Sequence, residues 1–345
     1  MVREPRTLPT PHDETTVPVR RYAPLQDTRP MPGVTLPPAP ESSPAERGRG
    51  RSRRYVLLLA LFLLISCAVG TAAGGYALWQ WSGTRPRTNV LILGLDSRPE
   101  QGNVVRSDTL ILATAYPPGP RVALLSIPRD LYVDIPGYGP NRINTAHFWG
   151  EIEIEGGGPA LAMQTVTGNL GVPVHHYARV DFDGFRAIVD AVGGVDVTVE
   201  QPIVDDAYPT ADYGTIHVEI PAGPQHMDGE TALRYARSRH GSSDIDRTRR
   251  QQQILTGLAQ RMLEPGVWIK LPLVIQAVTK DVDTDMTAWD LLSLAFTLYR
   301  VGPEGIEQHV IEPEMIEPWT TPSGGAVLLP HWEAINPLVQ DTFTP

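Results

Sequence analysis

An uncharged run of 25 residues constrains this chain most strongly, because a segment of that length can cross a membrane. Residues 55–79 read YVLLLALFLLISCAVGTAAGGYALW and contain no acidic or basic side chain. At about 1.5 Å per helical residue, the run spans the roughly 30 Å of a bilayer's hydrocarbon core. The sequence therefore predicts a single transmembrane helix over residues 55–80.

The residues that flank this run predict its orientation. Five arginines stand just before it, at positions 47, 49, 51, 53 and 54, and Trp79 and Trp81 lie at its far end. Basic residues favour the cytoplasmic side, and tryptophan favours the membrane interface. We therefore expect a single-pass protein of the cell membrane with a cytoplasmic N-terminus. A cleaved signal peptide is the alternative, but its apolar region is usually shorter and nearer the N-terminus.

The segments on either side of the span differ in composition. The first 50 residues contain 11 of the 34 prolines and show no hydrophobic period, which predicts a disordered Pro/Arg-rich tail over residues 1–54. A linker over residues 81–88 leads to an extracytoplasmic domain over residues 89–345. The one cysteine, Cys67, lies in the apolar run, so the outer domain depends on its hydrophobic core rather than on disulfides.

Strand-like and helix-like segments alternate through the outer domain. Short apolar or alternating runs predict strands at 89–95, 108–115, 122–127, 174–182, 195–199, 215–220 and 326–329. Helical patterns occupy 159–170, 183–192, 228–236, 244–263, 267–278 and 287–299, with Asp228 as an N-cap. This alternation predicts an α/β domain with a mixed central β-sheet flanked by helices on both faces.

A cluster of arginines stands out against an acidic background. Of 29 Lys+Arg and 39 Asp+Glu, residues 55–345 hold 19 and 33, a net charge of −14. Five arginines nevertheless lie within 14 residues, at positions 237, 239, 247, 249 and 250. Such a local cluster favours a multiply charged anion such as phosphate, and it argues against a nucleic-acid surface. A solvated helix face with ion pairs is the alternative.

Other charged residues follow the predicted strands. Asp96 follows the first strand, Asp108 begins the second, and Arg129 and Asp130 follow the third. The two carboxylates could share a hard cation such as Mg²⁺, or they could simply form turns or caps. Arg129 and Asp130 could equally form a surface ion pair. Further along the chain, the spacing of Arg247, Arg250 and Gln251 places these three on one helix face.

Seven short runs, in this order, resemble the LytR-CpsA-Psr family: GLDSR at 94–98, RSDTLIL at 106–112, LLSIPRD at 124–130, NRINTAH at 141–147, VGGVDV at 192–197, HMDGETALRYARSRH at 226–240 and SDIDRTRRQQQ at 243–253. The core of the match covers 89–263, and 264–345 is similar to the C-terminal completion of the same domain. The resemblance implies a membrane-anchored phosphotransferase of a Gram-positive-type envelope. Such enzymes move a glycopolymer from a polyprenyl-pyrophosphate carrier to peptidoglycan and release polyprenyl phosphate.

The same resemblance implies roles for individual residues. Asp96 and Asp108 would hold Mg²⁺ or Mn²⁺. The pyrophosphate would be bound by Arg106, Arg129, Arg237, Arg239 and Arg247, assisted by Gln251. Arg98, Asp244 and Arg250 would support these groups, with Asp244 orienting the arginines. The residues expected to act in catalysis are Asp108, Arg106 and Arg129.

Two other functions use the same residues. A membrane-anchored sensor would bind polyprenyl phosphates through these arginines without turnover, although binding alone needs no metal. A pyrophosphatase would use water in place of the sugar acceptor. Phosphoryl transfer depends mainly on positioning and charge stabilisation, which a metal and several arginines supply. The sequence does not identify the general base; Asp108 is the first candidate and Asp96 the second.

Overall fold

The computed structural model describes residues 60–344, except 63, 68, 72, 78, 79, 81, 82, 98–101, 211–213, 239–243 and 269. Side chains at 244, 245, 265, 268, 271, 272, 275 and 278 are likewise not described. The predicted tail at 1–54, the first residues of the predicted span and part of the linker therefore lie outside the described residues. One described helix, α1 (Ala60–Ala77), is long and apolar enough to cross a membrane. The elements that follow α1 all belong to the compact unit Ile65–Pro345.

The strands in chain order are β1 (Thr88–Leu95), β2 (Ser107–Tyr116), β3 (Arg121–Ile127), β4 (Tyr132–Ile135), β5 (Gly139–Arg142), β6 (His176–Val180), β7 (Val195–Val199), β8 (Ile203–Pro209), β9 (Thr215–Ile220), β10 (Gly223–Met227), β11 (Val282–Thr284), β12 (Ile306–Val310), β13 (Ile316–Thr320) and β14 (Ala326–Pro330). The helices after α1 are α2 (Thr145–Glu153), α3 (Gly158–Leu170), α4 (Phe182–Val192), α5 (Gly229–Arg237), α6 (Asp244–Leu263), α7 (Pro265–Trp268), α8 (Leu271–Asp281), α9 (Ala288–Val301) and α10 (Trp332–Phe343).

Six strands form a mixed central sheet in the order β11-β6-β1-β2-β3-β12. β2 runs antiparallel to both β1 and β3, whereas β6 is parallel to β1 and β12 is parallel to β3. The C-terminal ends of β1, β3, β6 and β12 consequently meet the N-terminal end of β2 at one edge of the sheet. The predicted fold class, a mixed α/β sheet with helices, is confirmed.

The two faces of the sheet are distinguished by the alternation of side chains along each strand. On one face, Leu91, Leu93, Leu110, Leu112 and Leu125 are buried in a core with residues of α2, α3 and α10. Ile92 and Ile111 have the opposite parity and point to the other face, where they line a cavity together with residues of α6. The helices thus cover both faces, and the second face retains the space in which the candidate site lies.

A second core lies beside the sheet and supports α5 and α6. It contains Val195 and Val197 of β7, Tyr208 of β8, and Tyr235 and Ile254 of the two helices. β7 pairs with β10, and β8 pairs with β9, in two antiparallel ribbons. Because this core packs against one side of both helices, it fixes the direction in which their arginines project.

Local signals explain where several helices begin and end. The carboxylate of Asp228 accepts a hydrogen bond from the backbone N–H of Thr231, 2.8 Å away, which confirms the predicted N-cap of α5. The helix was expected to end near Ala236 and ends at Arg237, after which Ser238 is extended with ψ of 131°. The predicted helix over 267–278 is instead two helices, α7 and α8.

Candidate functional site

The charged residues predicted at the ends of the first three strands converge at one edge of the sheet. Asp96 follows the C-terminus of β1, Asp108 lies at the N-terminus of β2, and Arg129 follows the C-terminus of β3. Because β2 is antiparallel to its two neighbours, these three ends are adjacent in space. Separation along the chain therefore does not prevent the groups from sharing one site.

A β-bulge gives Asp108 its orientation. Gly94 pairs with Thr109, but the next residue, Leu95, pairs with Ser107, so Asp108 is the extra residue in the ladder. A bulge bends the strand and re-aims the side chain of the extra residue. Gly94 makes this close pairing feasible, since a Cβ atom there would lie only 2.9 Å from Cβ of Thr109. The glycine of the GLDSR run thus contributes to the placement of the Asp108 carboxylate.

Arg129 is held by two carboxylates at the sheet edge. Its Nη1 donates to Oδ1 of Asp108 at 2.6 Å, and its Nε lies 3.6 Å from Oδ2 of Asp130. Asp130 in turn lies 3.3 Å from Nε of Arg142. All four side chains remain partly accessible, so the ion pair of Arg129 with Asp108 is only partly withdrawn from solvent. These contacts restrict the orientation of the Arg129 guanidinium.

Arg237 is positioned by stacking as well as by charge. Its guanidinium carbon lies 3.9 Å from the centroid of the Phe182 ring and 5.3 Å from that of Tyr208. Its Nη1 donates to the Tyr208 hydroxyl at 3.2 Å, and its Nη2 donates to Oδ2 of Asp96 at 3.4 Å. Burial raises the pKa of Tyr208, which keeps this hydroxyl neutral over the physiological range. The last residue of α5 is thereby connected to the end of β1.

One face of α6 carries the polar groups and the apolar groups that line the site. Arg247, Gln251, Leu255 and Leu258 follow at intervals of four, four and three residues, so they lie along the same face. Arg247 is only 6% exposed. Behind this face, Nε2 of Gln252 donates to the Ser126 hydroxyl and to the carbonyl of His309, both at 2.9 Å. These bonds fix the rotation of α6 relative to β3 and β12.

Arg250 of α6 forms a hydrogen bond with the residue that follows α5. Its Nη2 donates to the backbone carbonyl of Ser238, the residue after α5. Burial lowers the pKa of Arg250 from its usual value. The Tyr235 hydroxyl also donates to the side-chain oxygen of Gln253, 2.5 Å away. Arg250 therefore stabilises the chain just after α5, and the supporting role expected of it stays a prediction.

A cavity of about 600 Å³ extends from these polar groups along the second face of the sheet. Asp96, Asp108, Arg237, Arg247 and Gln251 line its polar part. The remainder is largely apolar, with Ile92, Ile111, Val180, Phe185, Ile188, Leu233, Leu255 and Leu258 on its walls. The lining changes from charged to apolar along both β1 and α6. Over the 11 residues from Arg247 to Leu258, the helix rises by about 16 Å.

Comparison with known proteins identifies the family of this chain. The sequence model described as LytR_cpsA_psr family matches residues 79–324, most of the chain. This chain belongs to the LytR-CpsA-Psr family.

Curated relatives of this LytR-CpsA-Psr protein carry two kinds of name. The Enterococcus faecalis protein named polyisoprenyl-teichoic acid–peptidoglycan teichoic acid transferase TagU is 34% identical over 231 residues, which are 65% of this chain and 69% of the relative. The Staphylococcus aureus protein named regulatory protein MsrR is 32% identical over 203 residues, which are 58% of this chain and 57% of that protein. The second match thus spans little more than half of the relative's length.

A solved structure of the family has the same fold. The crystal structure of TagV from B. subtilis superposes with a TM-score of 0.63 at 27% sequence identity. The superposition covers 76% of this chain and all of the TagV chain. The mixed sheet and its helices are therefore an arrangement that this chain shares with its family.

The residues predicted for the site of this LytR-CpsA-Psr domain differ in where they lie. Asp96, Asp108, Arg129, Arg237, Arg247 and Gln251 line one or both of two adjoining cavities. Arg106 lies just before β2 with an exposed side chain and lines neither cavity. Arg98, Arg239 and the side chain of Asp244 lie outside the described residues. The roles of all these residues stay predictions.

Several residues of the site had no signal strong enough to be selected from the sequence. Asp205 of β8 is 4% exposed and lines the cavity of about 600 Å³. Its carboxylate accepts a hydrogen bond from the backbone N–H of Ala207 at 3.1 Å. Phe182 and Tyr208 contact Arg237. No element was predicted for the segment that holds Asp205 and Tyr208, and Phe182 was predicted as the last residue of a strand, whereas it begins α4. Only the pairing of β8 and the packing of α4 beside α5 bring them to the site.

Asp96 and Asp108 are the two carboxylates at which a magnesium site was predicted. Both carboxylates face the charged part of the cavity, and each also contacts an arginine. Within the residues that the structure describes, no group of three or more His, Cys, Asp or Glu side chains is placed to hold a metal. Mg²⁺ does not require such a group, since it usually binds one or two carboxylates together with substrate phosphate and water. The donor set therefore suits a cation that arrives with a phosphorylated substrate.

Proposed function

We propose that this protein transfers a glycopolymer from a polyprenyl-pyrophosphate carrier to a sugar hydroxyl of peptidoglycan. The observation that carries the proposal is the cavity whose lining changes from arginines and carboxylates to apolar side chains. A polyprenyl pyrophosphate has the same division, with a charged head and a long hydrocarbon chain. The name of the TagU relative, which is a teichoic acid transferase, supports the same class of reaction.

In the proposed reaction, the acceptor hydroxyl oxygen attacks the phosphorus on the glycopolymer side of the pyrophosphate. The bond between that phosphorus and the bridging oxygen breaks, and polyprenyl phosphate leaves with the electron pair. The hydroxyl proton passes to a base, for which Asp108 is the first candidate and Asp96 the second. The product is a phosphodiester between glycopolymer and peptidoglycan, and the number of phosphoryl groups is unchanged.

The side chains of the site supply the charge that this step requires. Arg129, Arg237 and Arg247 would bind the pyrophosphate oxygens, with Gln251 as a neutral donor beside them. Arg237 and Arg129 are held by Asp96 and Asp108, so little reorganisation is needed when the substrate arrives. The same carboxylates would hold Mg²⁺ or Mn²⁺. A bound divalent cation would offset the negative charge that develops on the phosphate oxygens.

The proposed location is the cell membrane. Helix α1 has the length and composition of a membrane span, and a span keeps the domain beside lipid-linked substrate. In the orientation expected from the flanking arginines, the N-terminus is cytoplasmic and the domain faces peptidoglycan. The partners are then the membrane, the lipid-linked glycopolymer and peptidoglycan, and no nucleic acid is involved.

The direct test uses the full-length chain in lipid nanodiscs. It is incubated with a short lipid-pyrophosphate-linked glycan, a peptidoglycan oligosaccharide and Mg²⁺. Mass spectrometry then measures the glycan phosphate on the acceptor. Transfer is expected in the wild type, and Arg129→Ala and Arg239→Ala are each expected to reduce it by about a hundredfold or more. Arg121→Ala is the matched control, because Arg121 lies at the opposite end of β3 and pairs with Glu307.

The same experiment distinguishes two other functions. The MsrR relative is named a regulatory protein, which favours a sensor that holds the lipid. Stoichiometric lipid binding with neither transfer nor hydrolysis, repeated with a second donor glycan, would support that function and contradict the proposal. Free glycan phosphate formed equally with and without acceptor would instead indicate a pyrophosphatase.

A further inference from the structure

A second cavity of about 500 Å³ adjoins the first at the charged edge of the sheet. Five residues line both cavities and form their common wall: Asp108, Thr109, Ile111, Arg247 and Gln251. The second cavity extends away from this wall, past the ends of β3 and β12, to the hairpin of β13 and β14. The charged groups of the site are therefore accessible from two different sides.

The far wall of the second cavity carries an exposed aromatic ring. Trp319 of β13 lines the cavity and is 39% exposed. Its ring centroid lies 5.6 Å from that of Tyr132 of β4, and its backbone pairs with Val327 of β14. Two neighbours thus hold the ring in place while part of its surface remains open. Most of the lining of this cavity is apolar, and an accessible aromatic side chain beside a few polar groups is a feature of ligand sites.

The other side chains of this cavity suit a ligand that carries hydroxyl groups. Asp130 and Thr320 lie on its wall together with Arg129 and Thr248. Asp130 is within ion-pair distance of Arg129 and of Arg142, which fixes the carboxylate in position. Carboxylates accept hydrogen bonds from hydroxyls, and guanidinium and threonine groups donate to them. The combination of such groups with an aromatic ring matches a pyranose, which has an apolar C–H face and a hydroxyl-bearing edge.

The geometry of phosphoryl transfer decides which sugar this is. In the displacement at phosphorus, the attacking and leaving oxygens lie roughly in line on opposite sides. The leaving group is polyprenyl phosphate, whose hydrocarbon chain suits the apolar part of the first cavity. The attacking hydroxyl then enters from the opposite side of the common wall, which is the side of the second cavity. The first sugar of the donor occupies neither of these two directions at phosphorus.

We propose that the second cavity binds a pyranose ring of the peptidoglycan acceptor, with Trp319 as the surface on which the ring stacks. This inference rests on the proposed function and adds the position of its second substrate. Trp319 is a binding residue in this proposal. Its removal should therefore raise the KM for the acceptor and leave the KM for the lipid-linked donor unchanged.

The test compares Trp319→Ala, Trp319→Phe and Trp289→Ala in the full-length chain. Trp289 is the control, since it is 60% exposed on α9 and lines neither cavity. Transfer is measured while the peptidoglycan oligosaccharide and the lipid-linked donor are varied separately. Trp319→Ala is expected to raise the acceptor KM by roughly tenfold, equivalent to about 1.4 kcal/mol, with the donor KM unchanged. Trp319→Phe should lie between wild type and alanine, and Trp289→Ala should match wild type.

Three results would overturn the proposal: an unchanged acceptor KM in Trp319→Ala, a change confined to the donor KM, or an equal effect of Trp289→Ala. If Trp319→Ala is misfolded and does not bind donor, a second variant, Ala326→Leu, tests the same cavity. It is expected to raise the acceptor KM, because the larger side chain narrows the cavity, and an unchanged acceptor KM would overturn the proposal. A wild-type chain that hydrolyses donor without any transfer would contradict the proposed function as well. Wild-type transfer with an unaltered acceptor KM in the variants would contradict only the acceptor site.

Discussion

The guanidinium carbon of Arg237 lies 3.9 Å from the centre of the Phe182 ring. This contact joins the last residue of α5 to the first residue of α4, and it holds the plane of the guanidinium against an aromatic face. Ring and plane together restrict the directions in which Arg237 can donate hydrogen bonds. The residue is therefore oriented before any anion arrives.

We expect Arg237→Lys to impair transfer even though the positive charge is retained. An ammonium group is a point charge without the planar fork that stacks on Phe182 and binds two phosphate oxygens. The value of kcat/KM for the lipid-linked donor should fall by about tenfold or more, as measured by steady-state transfer. Arg234→Lys on the same helix is the control, since Arg234 pairs with Glu230 and lines neither cavity. Equal activity of the two variants would show that the fork of Arg237 is not used.

Removal of the divalent cation should abolish transfer reversibly. We expect EDTA to stop the reaction and added Mg²⁺ or Mn²⁺ to restore it, because Asp96 and Asp108 suit a cation bound together with substrate phosphate. Asp96→Asn and Asp108→Asn should each reduce kcat by about a hundredfold or more. Asp134→Asn is a matched control on the exposed side of β4. Full activity in excess EDTA would remove the metal from the proposal.

Filling the apolar cavity should select against long lipid chains. We expect Ile188→Trp to raise the KM for a long-chain polyprenyl donor by about tenfold, because the larger side chain occupies space that the hydrocarbon needs. A donor with a short chain should be affected much less. Ile152→Trp, at an exposed position of α2 that lines neither cavity, should behave as wild type with both donors. Equal effects on long and short donors would place the lipid elsewhere.

A buried histidine should make the fold sensitive to mild acid. Burial lowers the pKa of His147, with a further contribution in the same direction from Arg179. Nδ1 of His147 lies 2.9 Å from the carbonyl of Val105, and its Nε2 lies 3.3 Å from Nη1 of Arg179. A neutral ring that donates from Nδ1 and accepts at Nε2 satisfies both contacts, whereas a protonated Nε2 would face another donor. The hydrogen bond to the Val105 carbonyl, and the nearby carboxylates of Glu151 and Asp283, raise the pKa of His147 and partly offset this lowering.

The sign of the pH dependence follows from the lowered pKa. Below about pH 6.5 the unfolded chain binds a proton at this histidine, while the folded chain resists it. The free energy of unfolding should therefore fall as the pH drops below 6.5, by at most about 1.4 kcal/mol per pH unit from this group. Chemical denaturation at pH 7.5, 6.5 and 5.5 measures it.

Two variants identify the group responsible for this pH dependence. His147→Gln should be less stable than wild type at pH 7.5, with a smaller loss between pH 6.5 and 5.5. In contrast, the hydrogen bond to Asp206 raises the pKa of His217. The stabilisation of the fold by protonated His217 is therefore present at low pH and lost as the pH rises. His217→Gln should consequently leave the loss in acid intact or increase it. An unchanged pH profile in His147→Gln would assign the acid sensitivity to other groups.

Much of the scaffold could be predicted from local patterns. The apolar runs that became β1, β2 and β3 are short and continuous, and Asp228 has the N-cap chemistry that starts α5. The predicted strands then placed Asp96, Asp108 and Arg129 at strand ends. These features depend on neighbours in sequence, so they can be recognised without knowing the fold.

Other features depend on pairings between distant segments. The bulge at Asp108 arises from the register of β1 against β2, and no local pattern at 107–109 specifies it. The sequence prediction also omitted β12 and β13, whose residues are mixed in polarity and carry little alternation. Trp319 therefore appeared as one aromatic residue in a polar stretch. Only the pairing of β13 with β14 brings it to the cavity.

Both outer strands of the central sheet come from the last third of the chain. β11 begins at residue 282 and β12 at residue 306, yet they border β6 and β3, which are made far earlier. A chain synthesised from its N-terminus must therefore leave two strand edges unpaired until its final segments emerge. Unpaired edges of this kind are prone to association with other chains. The late closure of the sheet gives this domain a folding period in which assistance by a chaperone would be most valuable.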